Sequence, residues 1–207
     1  FSLKRKIMSL IHRILMCFFL LATAACNPLE TVEQRDPDGR LVRYQVNKQS
    51  KAREGLWQQF SSDGKLQVEA HFLKDTLHGE KKYFYPNGAV ESVENYENGT
   101  LHGAFRKYYE SGTLMLEQQF VQGVMQGLSI RFYPNGVVQE KVTIVDNDEN
   151  GPFQEYYESG ILKAEGTYSS TEEEAALEQG ELREYDSTGI LIRIADCVDG
   201  RCNTRKE

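Results

Sequence analysis

Aromatic and branched residues return along this chain with a beat of 24 residues, in phase with two series of glycines. Position zero of the beat is Gly55, Gly79, Gly103, Gly127 and Gly151 and, after a five-residue insertion, Gly180. Position five is then Phe60, Phe84, Tyr108, Phe132, Tyr156 and Tyr185, and position eleven is Leu66, Val90, Leu114, Val138, Leu162 and Leu191. Position seventeen is Phe72, Tyr96, Phe120, Ile144 and Tyr168, with Cys197 in the last copy. A second glycine falls at position nine each time, from Gly64 to Gly189, always preceded by Asp, Asn, Ser or Thr. A period of this length belongs to stacked supersecondary units, none of which buries its apolar face alone. Two apolar runs around an Asn-Gly type signal predict that each unit is a β-hairpin.

The turn decides which side chains share a face. Pro86 and Pro134 precede Asn-Gly, and a two-residue loop would put proline in a strand pair that needs its N–H. Proline suits the first corner of a type I turn, with the glycine in the left-handed position of a G1 bulge. That loop sets position five opposite eleven. Seventeen lies six residues further along an alternating strand, so five, eleven and seventeen are expected on one face as the core stripe. Position six, which is Tyr85, Tyr109, Tyr133 and Tyr157 in the central copies and Ser61 or Asp186 in the outer two, should point the other way. Two strands per unit would space these tyrosines by ~10 Å. The row either covers the twisted sheet or forms a partner-binding face, and the four tyrosines are the candidate contact residues.

The rest of the chain fits around this array. Residues 1–25 read as a leader, 26–37 as a tether, 38–54 as a degenerate capping half-repeat in which Asp38, Gly39, Arg40 and Leu41 echo the later turns, 55–195 as the repeats and 196–207 as a tail. The insertion before Gly180 has Thr171 as a cap, acids in its first turn and a glycine stop, which predicts a short helix. The fold class is therefore all-β, an elongated antiparallel sheet of tandem 24-residue hairpins with one short helical insertion.

Lys4, Arg5, Lys6 and Arg13 precede an apolar run from Ile14 to Ala25. Such a run is short of the ~20 residues a spanning helix needs and has the pattern of a secretory signal. Its boundary, Ala24, Ala25 and Cys26, resembles the lipobox of bacterial lipoproteins, which implies cleavage before Cys26, lipidation of its sulfur and an extracytoplasmic place in the cell envelope. Phe1 stands at the start, and Met8 is an alternative first residue. The leader holds four of the 24 Lys plus Arg and none of the 31 Asp plus Glu, so the remainder is more acidic than the formal −7 of the whole sequence. Nucleic-acid binding, which needs clustered cations, is not expected.

Cys197 and Cys202 flank Val-Asp-Gly-Arg. If Asp199 and Gly200 form a type I′ turn, the two cysteines face each other across a closely spaced pair, within disulfide range. Export favours that disulfide over two free thiols or a metal site short of ligands.

Catalytic chemistry finds little footing. His78 and His102 occupy position twenty-three, where the next copies carry Gln126 and Asn150. Equivalent positions a unit apart, ~10 Å, cannot converge on one metal. His71 and His12 offer no ligand spacing, and no nucleophile elbow, phosphate loop or dinucleotide fingerprint is present. No cofactor, metal or enzymatic activity is expected.

The succession aromatic, aromatic, x, Asn or Ser, Gly, x, Leu, then aromatic, x, x, Gly, x, x, His, Gly, best seen from Tyr83 to Gly103, resembles the bacterial variant of the MORN repeat over roughly residues 31 to 195. The commoner MORN unit, Tyr-x-Gly-x-Trp, is absent, and Trp57 is the sole tryptophan. The resemblance implies an elongated sheet serving as a binding or scaffolding surface, and relatives of this variant are often called antitoxin-like. The function expected is a lipid-anchored, non-catalytic scaffold for an unknown protein or surface glycan. A structural spacer of the envelope and an antitoxin or immunity-like neutralising protein are the alternatives.

Overall fold

The computed structural model describes residues 28–170 and 176–205. Among them are no helices and eighteen strand segments, from Leu29–Arg35 to Arg201–Thr204, in one open antiparallel sheet. Neighbours in the sheet are neighbours in the chain. Three two-residue segments, Thr100–Leu101, Val124–Met125 and Leu177–Glu178, run on after a single residue into Gly103–Tyr108, Gly127–Phe132 and Gly180–Tyr185.

Each unit turns as the prolines require. Ser61 N–H donates to Lys65 O and Gly64 N–H to Ser61 O, and the pair of bonds recurs from Tyr85 to Asp186. The turn glycine sits at positive φ, 89° at Gly88, where a Cβ would be strained. Position five lies opposite eleven in all six copies, from Phe60↔Leu66 to Tyr185↔Leu191.

The next pair is Gln59↔Val68, so Gln67 has no partner, and the same skip falls at Glu91, Met115, Gln139, Lys163 and Ile192. One extra residue turns the rest of the strand over. Position seventeen therefore shares a face with two and fifteen, as Gly55↔Phe72 and Trp57↔Ala70 show. The expected single stripe of five, eleven and seventeen is in fact two stripes on opposite faces. The inner face holds the buried cluster of Val142, Ile144, Phe153, Ala164, Leu182, Ala195 and Cys197. Gly166 belongs to it by omission. A Cβ there would meet the Phe153 ring at 2.8 Å, and its absence lets Phe153 stack on Tyr168 with centroids 4.3 Å apart.

The first five units are joined by two-residue turns with both corners at positive φ, from Lys74-Asp75 and Asn98-Gly99 to Asp146-Asn147, and Asp199-Gly200 makes the same turn after the sixth. These are the primed turns whose twist matches that of the strands. The last one brings Cys197 opposite Cys202, and their sulfurs are bonded at 2.04 Å.

Two expectations need correction. Residues 29–35 are not tether: they pair with Leu41–Asn47 over seven residues, because Asp36 to Arg40 make the same turn bonds as the later repeats and fold the preceding run back as a strand. Of the insertion expected to be helical, residues 171–175 lie outside the described residues, and Leu177–Glu178 is strand, paired with Tyr168 and Ser169.

Candidate functional site

Two sets of side chains could meet a partner: the tyrosine row and the outer face. The row begins where adjacent hairpins part. Toward the hairpin turns, pairing between units ends with position thirteen opposite four of the next unit, beside fourteen opposite three, as in Ser92↔Lys107 and Val93↔Arg106. Nearer the turn, the carbonyl of position five has no strand opposite it. The tyrosine hydroxyl of the preceding unit fills that place. Tyr85 Oη donates to Tyr108 O at 2.8 Å, Tyr109 to Phe132 O at 2.8 Å, Tyr133 to Tyr156 O at 2.9 Å and Tyr157 to Tyr185 O at 2.9 Å. Asn87 and Asn135 add donors to Glu110 O and Glu158 O. All four tyrosines are half-buried, and burial, then Glu91 and Glu110, holds the Tyr85 phenol above its usual pKa. Tyr157 packs toward Phe153, Ala164 and Leu182, so the row lies on the inner face. Its hydroxyls are spent on the chain's own backbone.

The histidines are also structural. His78 Nδ1 accepts from Asn98 N–H, and His102 Nδ1 from Gln122 N–H, each at 3.4 Å. Gln179 Oε1 does the same for Asp199 N–H at 3.1 Å, and Gln126 bonds the Asp146 carboxylate. Position twenty-three thus holds the first corner of the next connecting turn, a task that histidine and glutamine share. The second corner donates backward, Gly99 N–H to Leu77 O and Gly123 N–H to Leu101 O. Both margins of the sheet are therefore laced from unit to unit.

The outer face is different in kind. Leu73, Val121, Leu128, Val145, Leu191 and Val198 are its exposed large apolar residues, with Val121 51 % and Leu128 47 % accessible. Ile190 and Ile192 are exposed at the turn between Gly180–Tyr185 and Leu191–Val198, after which Arg201–Thr204 adds one more strand. Across this face, positions three and fourteen pair as Gln58 with Glu69 at 2.9 Å, Arg106 with Glu117 at 2.9 Å and Gln154 with Glu165 at 3.5 Å. The other three units lack this pair: they carry Lys82 with Val93, Ile130 with Lys141 and Arg183 with Ile194. Beside Lys141 lies an open hollow of about 370 Å³, walled by Leu128, Thr143, Pro152 and Thr167 and by the charges of Glu165, Glu181 and Arg183. Sequence reading passed over this hollow. Its one signal was a lysine where three other copies carry glutamate.

An open single-layer sheet, built from hairpins laced at both margins, defines a tandem β-hairpin repeat protein. The MORN repeat variant model matches residues 53–74, 77–98, 101–122, 125–146 and 149–170, and the chain belongs to that family. MORN repeats generally serve as binding or scaffold modules. The first hairpin and the unit from Gly180 lie outside the matched segments yet repeat the same turn; the unit from Gly180 also keeps the skipped residue, whereas Leu29–Arg35 pairs with Leu41–Asn47 without one. No curated protein matches the chain.

Proposed function

We propose that this protein is a membrane-anchored, extracytoplasmic and non-catalytic scaffold that binds another envelope protein through the outer face of its sheet. The observation that carries this is the division of labour between faces. Inner-face tyrosines spend their hydroxyls on neighbouring backbone, while exposed aliphatic residues collect on the outer face. Unpaired apolar side chains in a row are what a partner's surface can cover. The leader and Cys26 supply the anchoring part of the reading.

Val121→Asp combined with Val145→Asp tests it, because both side chains are exposed and the change should leave the fold intact. In-cell crosslinking followed by affinity purification should lose a specific envelope partner while the melting temperature is unchanged. Undiminished capture would remove the outer face from the reading. In parallel, Cys26→Ser should move the protein from the membrane fraction to the soluble one, and retention in the membrane would count against the anchor.

A further inference from the structure

We infer that the hollow around Lys141 receives an acidic side chain, flanked by apolar residues, from an extended segment of the partner protein. This rests on the reading of the outer face as the binding face. The chain is acidic overall and would repel carboxylates nearly everywhere, so a place suited to one is a local exception. Position fourteen is Glu69, Glu117 and Glu165 in three other units, each bonded to the side chain at position three. In the fourth unit Lys141 faces Ile130, which offers nothing to bond.

The charged neighbours that could neutralise Lys141 are already engaged. Glu165 takes Arg183 at 3.6 Å and the Tyr185 hydroxyl at 2.9 Å. Glu181 takes Arg183 and Arg205, each at 2.6 Å. Arg183 is thereby satisfied by two carboxylates. Lys141 makes no ion pair among the described residues, and its ammonium lies 5.7 Å from the centroid of the Tyr156 ring. It is the unmatched charge of the hollow.

Two further walls suit the same ligand. Thr143 and Thr167 make no side-chain hydrogen bond among the described residues and line the hollow, so their hydroxyls are free to donate to a carboxylate that Lys141 attracts. Leu128 and Pro152 form the apolar wall, continuous with exposed Val121 and Val145 along the same face. A strand carrying one acid with an aliphatic residue two positions to either side would place its charge on Lys141 and those side chains, which share its face, on that strip. An anionic sugar would use the cation and hydroxyls but leave the aliphatic strip uncovered, which favours the peptide.

The test is a ¹⁵N–¹H titration of the Cys26→Ser chain with acetyl-Leu-Ser-Glu-Ser-Leu-amide, its Gln counterpart and glucuronate. Expected are saturable shifts at Leu128, Lys141, Thr143 and Thr167 with the Glu peptide, weakened roughly tenfold by the Gln peptide, a loss equal to one charge-assisted contact. Lys141→Glu, which installs the residue three sister units carry, should abolish them without lowering the melting temperature. Equal responses to Glu and Gln peptides, saturation by glucuronate alone, or no shifts at all would each overturn the inference. The two readings fail separately: envelope capture that survives Lys141→Glu but is lost in the Val121→Asp, Val145→Asp chain overturns the acid subsite and leaves the outer face standing.

Discussion

Glu149 stands where three sister units carry Leu77, Leu101 and Met125 and another carries Glu178, on the inner face opposite Ile144. Burial holds its carboxyl above the usual range, repulsion from Glu140 adds to that, and Arg131 offsets part of it. A carboxyl raised on folding binds its proton more tightly in the native state, so its charged form weighs against folding above the native pKa. The penalty is full near neutral pH and relaxes as pH falls through the raised pKa. Glu149→Leu should therefore stabilise the protein at pH 7 by on the order of 1 kcal/mol, the yield of partly burying a leucine. Urea titrations at pH 7 and pH 4.5 would check this: the gain should shrink at the lower pH. A gain independent of pH would mean that packing alone is responsible. Lys141 is the outward counterpart, a residue that departs from its repeat at no evident cost in packing.

At the scale of the hairpin, what could be read in the sequence and what could not divide at one residue. Turn type and the pairing of five with eleven were legible because proline, Asn-Gly and positive φ are local demands that few residues meet. The bulge at position twelve was not, since Gln67, Glu91, Met115, Gln139, Lys163 and Ile192 share no chemistry. It moved position seventeen to the opposite face. The tyrosines illustrate the same limit. Their recurrence was visible, but the carbonyl each one satisfies lies 23 residues on, or 28 across the insertion, and only the parting of adjacent hairpins exposes it. Tyr133→Phe should leave Tyr156 O without its donor and cost about 1 kcal/mol, read as a shift of the urea midpoint. Partner capture should be unaffected. A loss of capture at unchanged stability would return the tyrosine row to the binding surface.

The whole molecule behaves as a one-dimensional stack, in which a unit touches only its neighbours and stability grows roughly as a sum over units and junctions. That makes length and surface separable. Removing residues 79–102 takes out one complete period, joins His78 to Gly103 and keeps both margins in register, because each side of the cut presents the same positions. The excised unit carries Glu97 where others expose Leu73, Val121, Val145 and Val198, so the outer aliphatic strip and Lys141 remain. The shortened chain should fold cooperatively, with its long axis reduced by ~10 Å, two strand spacings, in solution scattering. A scaffold that binds through the outer face should capture its partner nearly as well as before. A spacer, whose task is distance, should fail in the cell although it folds. If the deletion abolishes cellular function but spares capture, span is what the envelope requires of this sheet, and the laced margins that stiffen it are then its working parts.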